Sequence, residues 1–158
     1  MTETTTSKPA RLFYSYSHKD EDLRNELEEQ LALLKRQGLI SGWHDRRIVP
    51  GQEWAAAIDE NLEAADVILL LVSAAFLNSD YCYDKEMKRA LERHETKQAK
   101  VIPILIRAVD WRDAPFSKLQ ILPKDAKPVT SWPNRDEAWT DVAKGIRKAI
   151  EELFANPQ

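Results

Sequence analysis

The chain has 158 residues, with 23 Lys and Arg against 26 Asp and Glu and three His, for a formal net charge of −3. A single domain of this length buries roughly 70% of its unfolded surface without covalent staples. The interleaving of both charge signs leaves no electrostatic case for nucleic acid or an anionic membrane as principal partner. The lone Cys82 has no internal disulfide partner, no charged and apolar leader opens the chain, and no apolar run approaches the ~20 residues of a membrane span. A reducing, cytoplasmic setting is therefore expected.

Residues Met1–Ala10 are polar, Thr-rich and carry Pro9, so they read as a frayed leader, with the domain expected over 11–155. Arg11–Tyr16 is rich in aromatics and predicts a first strand. Ser17 lies three residues before Asp20, an S-x-x-D capping signal for the next helix. Leu23, Leu27, Leu31 and Leu34 then follow at helical spacing, and Gly38 suits the residue just past a helix end. Leu39–His44 predicts a second, weaker strand interrupted by Ser41 and Gly42. Asp45–Gln52 is a loop by its Pro50-Gly51 pair. Trp54, Ile58 and Leu62 recur every four residues and predict a second crossover helix.

Val67–Val72 is apolar without alternation, the pattern of a parallel strand covered on both faces. Ser73 ends it, Ala74–Tyr81 is irregular or a short helical turn, and Asp84–Glu95 is helical with Met87, Ala90 and Leu91 inward. Val101–Ile106 is the next strand, where Pro103 favours an edge-like position or a bulge. Arg107–Lys127 is long for a loop, and such loops are usually functional or hold small elements. Pro128–Thr130 predicts a short last strand, and Asn134 with Glu137 caps an amphipathic closing helix. Strands alternating with helices specify an α/β fold, a parallel sheet with helices on both faces, because right-handed crossovers allow little else. Ligands of such sheets bind beyond the carboxyl ends of the strands.

Several chemistries are excluded by what the motifs lack. The four glycines (Gly38, Gly42, Gly51, Gly145) form neither a dinucleotide fingerprint nor a phosphate loop. A phosphoacceptor receiver would need Asp where Ser73 ends the third strand. His18, His44, His94 and Cys82 have no tight metal-ligand spacing, so no metal site is expected. No G-x-S-x-G elbow is present.

Three features occur in order: an aromatic strand ending Tyr14-Ser15-Tyr16-Ser17, the loop Asp45-Arg46-Arg47-Ile48-Val49-Pro50-Gly51, and S-x-Y-C-x-x-x-E from Ser79 to Glu86. Together they resemble the TIR (Toll/interleukin-1 receptor) domain of the bacterial kind, from about Leu12 to the closing helix. The resemblance implies a flavodoxin-like, five-stranded parallel sheet of order 2-1-3-4-5. It also makes Asp45–Gln52 the BB loop of TIR–TIR assembly, with Arg47, Ile48, Val49, Pro50 and Gly51 as self-association residues.

Many TIR domains of bacteria and plants hydrolyse or cyclise NAD+ and release nicotinamide, using a Glu early in the third helix. That position falls here on Glu86, with Asp84 as the shorter alternative on a different helical face. The common family spacing is W-C-x-x-E or W-x-x-x-E, whereas this chain has Tyr81-Cys82 and one further residue before the acid. Ser15, Tyr16, Ser17, Trp43, Asp45, Arg46, Ser73 and Cys82 are the expected substrate-binding residues, Cys82 as a small packing residue and not a nucleophile. NAD+ would be the substrate, and no bound cofactor is expected.

The nicotinamidium leaving group departs neutral, so one carboxylate facing an oxocarbenium-like ribosyl cation suffices where ordinary glycosidases need two. The alternative function is a non-enzymatic adaptor acting through homotypic TIR–TIR contact, and a third is a nucleoside 2-deoxyribosyltransferase-like enzyme. The end at Asn156-Pro157-Gln158, just past the last helix, suggests the N-terminal piece of a longer protein.

Overall fold

A computed structural model describes residues 9–43 and 60–155, and for residues 42, 43, 81, 154 and 155 the backbone alone. Four parallel strands form the sheet: β1 (Ala10–Ser15), β2 (Ile40–Trp43), β3 (Val67–Val72) and β4 (Lys100–Leu105), in the order β2-β1-β3-β4. Ser15 lies opposite Leu70, and Val72 opposite Leu105. This is the flavodoxin-type arrangement, with the chain reversing its direction of travel across the sheet between β1 and β3.

Side chains alternate between faces along each strand. Leu12, Tyr14, Val67, Leu69, Leu71, Ile102 and Ile104 face one core, closed by Leu23 and Leu27 of α1 (Glu21–Gln30) and Trp139, Val142 and Ile146 of α5 (Arg135–Ala155). Phe13, Ile68, Leu70, Val72 and Val101 face the other, under Phe76, Met87, Ala90 and Phe116. The uninterrupted apolar run of β3 is buried at every position, as expected of a strand with a core on each side.

The predicted first helix is two pieces, α1 and α2 (Ala32–Arg36), separated at Leu31, and Gly38 follows with φ 75°. Of the second crossover helix, residues 60–64 are described, with Leu62 buried, while Trp54 and Ile58 lie outside the described residues. After β3 come α3 (Ala74–Asn78), a π-helical segment Tyr81–Met87, and α4 (Lys88–Glu95). Arg93 of α4 donates to the carbonyls of Leu62 (2.6 Å), Ala65 (2.9 Å) and Gln98 (3.1 Å), which ties the chain entering β3 to the chain entering β4.

The fifth position differs from expectation. Pro128–Thr130 is not a strand; Val129–Ser131 is a 3₁₀ turn. The outer edge of β4 is instead paired by Leu122, in an isolated parallel bridge with Ile104. Leu122 donates to Pro103 O at 3.0 Å and accepts from Leu105 N at 2.8 Å. The next N–H that would face β4 is that of Lys124, which instead donates to Asp141 Oδ2 at 2.7 Å and enters a 3₁₀ turn, so the pairing stops at one residue. Pro103 accordingly occupies the edge-like place its ring predicts. The long 107–127 segment packs inward through Phe116 and Ile121, and Asn134 Oδ1 caps α5 by accepting from Glu137 N at 3.1 Å.

Candidate active site

Three polar residues stand at the carboxyl ends of β1, β3 and β4: Ser15, Ser73 and Arg107. Each is joined to an acid or leads to one. Ser15 is fully buried, and its hydroxyl donates to Glu86 Oε1 at 2.7 Å. Glu86 is 7% exposed, so its carboxylate is turned in toward the strand ends, where a freely solvated helix acid would point out. Asp84, by contrast, is exposed.

The segment carrying Glu86 shows how the extra residue is absorbed. In W-x-x-x-E the aromatic and the acid are four residues apart, one turn of an α-helix. Tyr81 and Glu86 are five apart, and five residues is the repeat of the i→i+5 bonds of a π-helix. The π-helical Tyr81–Met87 therefore sets Glu86 one turn along from Tyr81, despite the added residue. Ser79 starts this segment by accepting, through its hydroxyl, from Cys82 N at 3.2 Å. Cys82 is buried, and its thiol faces Tyr16 O at 3.2 Å, linking the π segment to the end of β1.

A second network lies at the same end of the sheet. Ser73 caps α3 by accepting from Phe76 N at 3.1 Å, and its own hydroxyl donates to Asp20 Oδ2. Asp20, 2% exposed, closes the short 3₁₀ turn after β1, and its other oxygen accepts from Arg107 Nε at 2.8 Å. Ser17 starts that turn by accepting from Lys19 N at 3.3 Å. The Asp20–Ser73 contact thus joins the ends of β1 and β3, the place where ligands bind in sheets of this order.

A TIR domain family model matches residues 12–151. The chain belongs to the TIR domain family. It is 58% identical over 138 residues to the uncharacterized protein y4lF of Sinorhizobium fredii (strain NBRC 101917 / NGR234), a match covering 87% of this chain and 43% of that protein. The chain thus spans less than half the length of this curated relative. Among solved structures it is similar to the TIR domain of the Toll-related receptor TRR-2 from Hydra magnipapillata, with a TM-score of 0.60 and 22% identity over 86% of this chain and 97% of that one. It is also similar to the TIR domains of the activated Roq1 resistosome that directly recognizes the pathogen effector XopQ, with a TM-score of 0.51 and 16% identity over 92% and 98% of the two chains. At these identities the likeness is one of fold.

On this TIR domain the expected site residues separate into groups. Ser15, Tyr16, Ser73, Cys82 and Glu86 come together at the strand ends, with Ser17 on the adjoining turn. Ser15 and Cys82, both buried, act on Glu86 and on the β1 end through the bonds above. Trp43 ends β2, and its side chain lies outside the described residues, as do Asp45, Arg46, Arg47, Ile48, Val49, Pro50 and Gly51. Asp20 and Arg107 were not among the expected residues. Asp20 reads in sequence as a helix-start acid and Arg107 as the first residue of a loop. The available signal is topological: each follows a parallel strand directly or within one turn, where site residues of this fold concentrate.

Proposed function

We propose that this TIR domain cleaves the bond between nicotinamide and ribose in NAD+, with Glu86 as the acting carboxylate. One observation carries the reading. A glutamate on a helical segment after β3 is nearly buried and held at 2.7 Å by a buried serine at the end of β1. Burial of a carboxylate is costly unless it is bonded and has a use, and perturbed or buried acids in a crevice mark functional sites more often than surface ones do.

In this mechanism the bond from ribose C1′ to the pyridinium nitrogen breaks with its electron pair going to nitrogen. Nicotinamide leaves neutral, so no proton donor is required at the leaving group. Positive charge then develops on C1′ and the ring oxygen. A carboxylate already fixed beside it stabilises this charge more than it stabilises the ground state, which lowers the barrier selectively. Ser15 limits the carboxylate to one orientation. Water attack at C1′ gives ADP-ribose and a proton; attack by an atom of the same nucleotide gives a cyclic isomer.

The TIR assembly named for the Roq1 resistosome supports self-association as the active setting, with the 45–51 segment as its contact. The deciding experiment is chromatography of NAD+ incubated with concentrated or artificially clustered protein. Nicotinamide should appear with wild type and not with Glu86→Ala. Equal release from both would remove Glu86 from the mechanism, and no release from clustered wild type would leave the adaptor function in its place.

A further inference from the structure

Arg107 is held in a way that an ion pair alone does not require. Its Nε donates to Asp20 at 2.8 Å, Asp20 is buried and fixed on its other oxygen by Ser73, and the arginine side chain is 49% exposed. Among the described residues, neither terminal amino group of Arg107 has a hydrogen-bond partner, so the forked end of the guanidinium is presented to solvent while its stem is anchored. The backbone beneath it is fixed as well, with Ile106 N donating to Val72 O at 3.0 Å. An anchored guanidinium with a free fork is suited to an oxyanion that accepts two parallel N–H bonds, as phosphates do.

The position fits the same ligand as the proposed cleavage site. Ser15, which holds Glu86, ends β1, and Arg107 follows β4, two strands away. By register Ser15 lies level with Pro103, and Arg107 is four residues further along, so at ~4.8 Å between strands and ~3.3 Å per residue the two backbones are on the order of 16 Å apart, a gap that the two side chains and a dinucleotide span together. A few bonds separate the ribose C1′ of NAD+ from its diphosphate. We propose that Arg107 binds the diphosphate of the dinucleotide, with Asp20 as the residue that positions it. This rests on the NAD+ reading for the identity of the ligand, while the anion site itself follows from the Asp20–Arg107 geometry.

The test uses the full chain and two variants. Arg107→Gln removes the charge, and Arg107→Lys keeps a charge for Asp20 but loses the fork, so thermal unfolding of the lysine variant controls for folding. Calorimetry with inorganic diphosphate and with ADP-ribose should show affinity about tenfold to a hundredfold weaker in Arg107→Gln, with Arg107→Lys between. Steady-state nicotinamide release should show the same rise in KM for NAD+ with kcat changed only a few-fold. Equal affinity for diphosphate across all three proteins, or no binding by wild type, overturns the proposal. Diphosphate binding that depends on Arg107 in a wild type that releases no nicotinamide would sink the NAD+ reading and keep the anion site.

Discussion

Glu86 and Asp20 are both nearly buried at the same end of the sheet, and each accepts a serine hydroxyl from a neighbouring strand end. The second carboxylate oxygen of Asp20 accepts from the guanidinium of Arg107. A hydroxyl fixes the direction of a carboxylate and leaves the charge of the pair at −1. A guanidinium brings the charge of its pair to zero. An acid that must hold a cation in place needs the second arrangement. The buried Asp20 is thereby committed to holding another side chain, whereas the role proposed for Glu86 is toward substrate.

The comparison is broken most directly at Glu86. Glu86→Gln keeps the shape and removes the charge, and should lower nicotinamide release by at least ~10²-fold, the usual scale for losing one aimed electrostatic group. Release within a few-fold of wild type would assign the chemistry elsewhere. Ser15→Ala comes next. It removes one bond to a charged group, worth roughly 1.5–3 kcal/mol, so kcat should fall about tenfold or more while KM for NAD+ stays within twofold. A rise in KM without loss of kcat would make Ser15 a substrate contact instead of a positioning residue.

Asp20→Asn sharpens the other half. It removes the charge that pairs with Arg107 and weakens a buried contact, and the unfolding free energy in urea should drop by about 2 kcal/mol. Its kinetic signature should lie in KM, opposite to that of Ser15→Ala. A loss of kcat as deep as that of Glu86→Gln would mean that the two acids share the chemistry and that their partners do not distinguish them.

The sequence shows one of these acids far more readily than the other. Val67–Val72 is legible because burial on both faces removes all alternation, and the Asn134–Glu137 cap is legible because both partners lie within one turn. Glu86 is reached through motif resemblance, yet the spacing from Tyr81 makes one turn only where a π turn replaces an α turn, as it does over Tyr81–Met87. Asp20 fits a capping signal, but Ser17 makes the local cap while the Asp20 side chain bonds residues 53 and 87 positions away. No local pattern encodes that. Pro128–Thr130 fails for the same reason: its composition suits a strand, but the edge of β4 is taken by Leu122, and the pairing ends where Lys124 N turns to Asp141.

The smallest expected effect lies outside both acids, in the pH dependence of stability. Away from the strand ends, His94 accepts from Val101 N at 3.1 Å through Nδ1, and burial, followed by the nearby Lys100 charge, holds its pKa below the usual 6.5. Between that lowered value and 6.5 the unfolded chain binds more protons than the folded one, so stability rises with pH across the window. The contribution is complete above about 6.5 and is lost as pH falls toward the folded value. Glu63, lowered mainly by its hydrogen bond to Arg89, acts separately, below the ordinary carboxylate range. His94→Asn keeps an acceptor near Val101 without a titrating ring, and urea midpoints of this variant should lose the slope just below pH 6.5. A slope equal to wild type would place the proton uptake on another group.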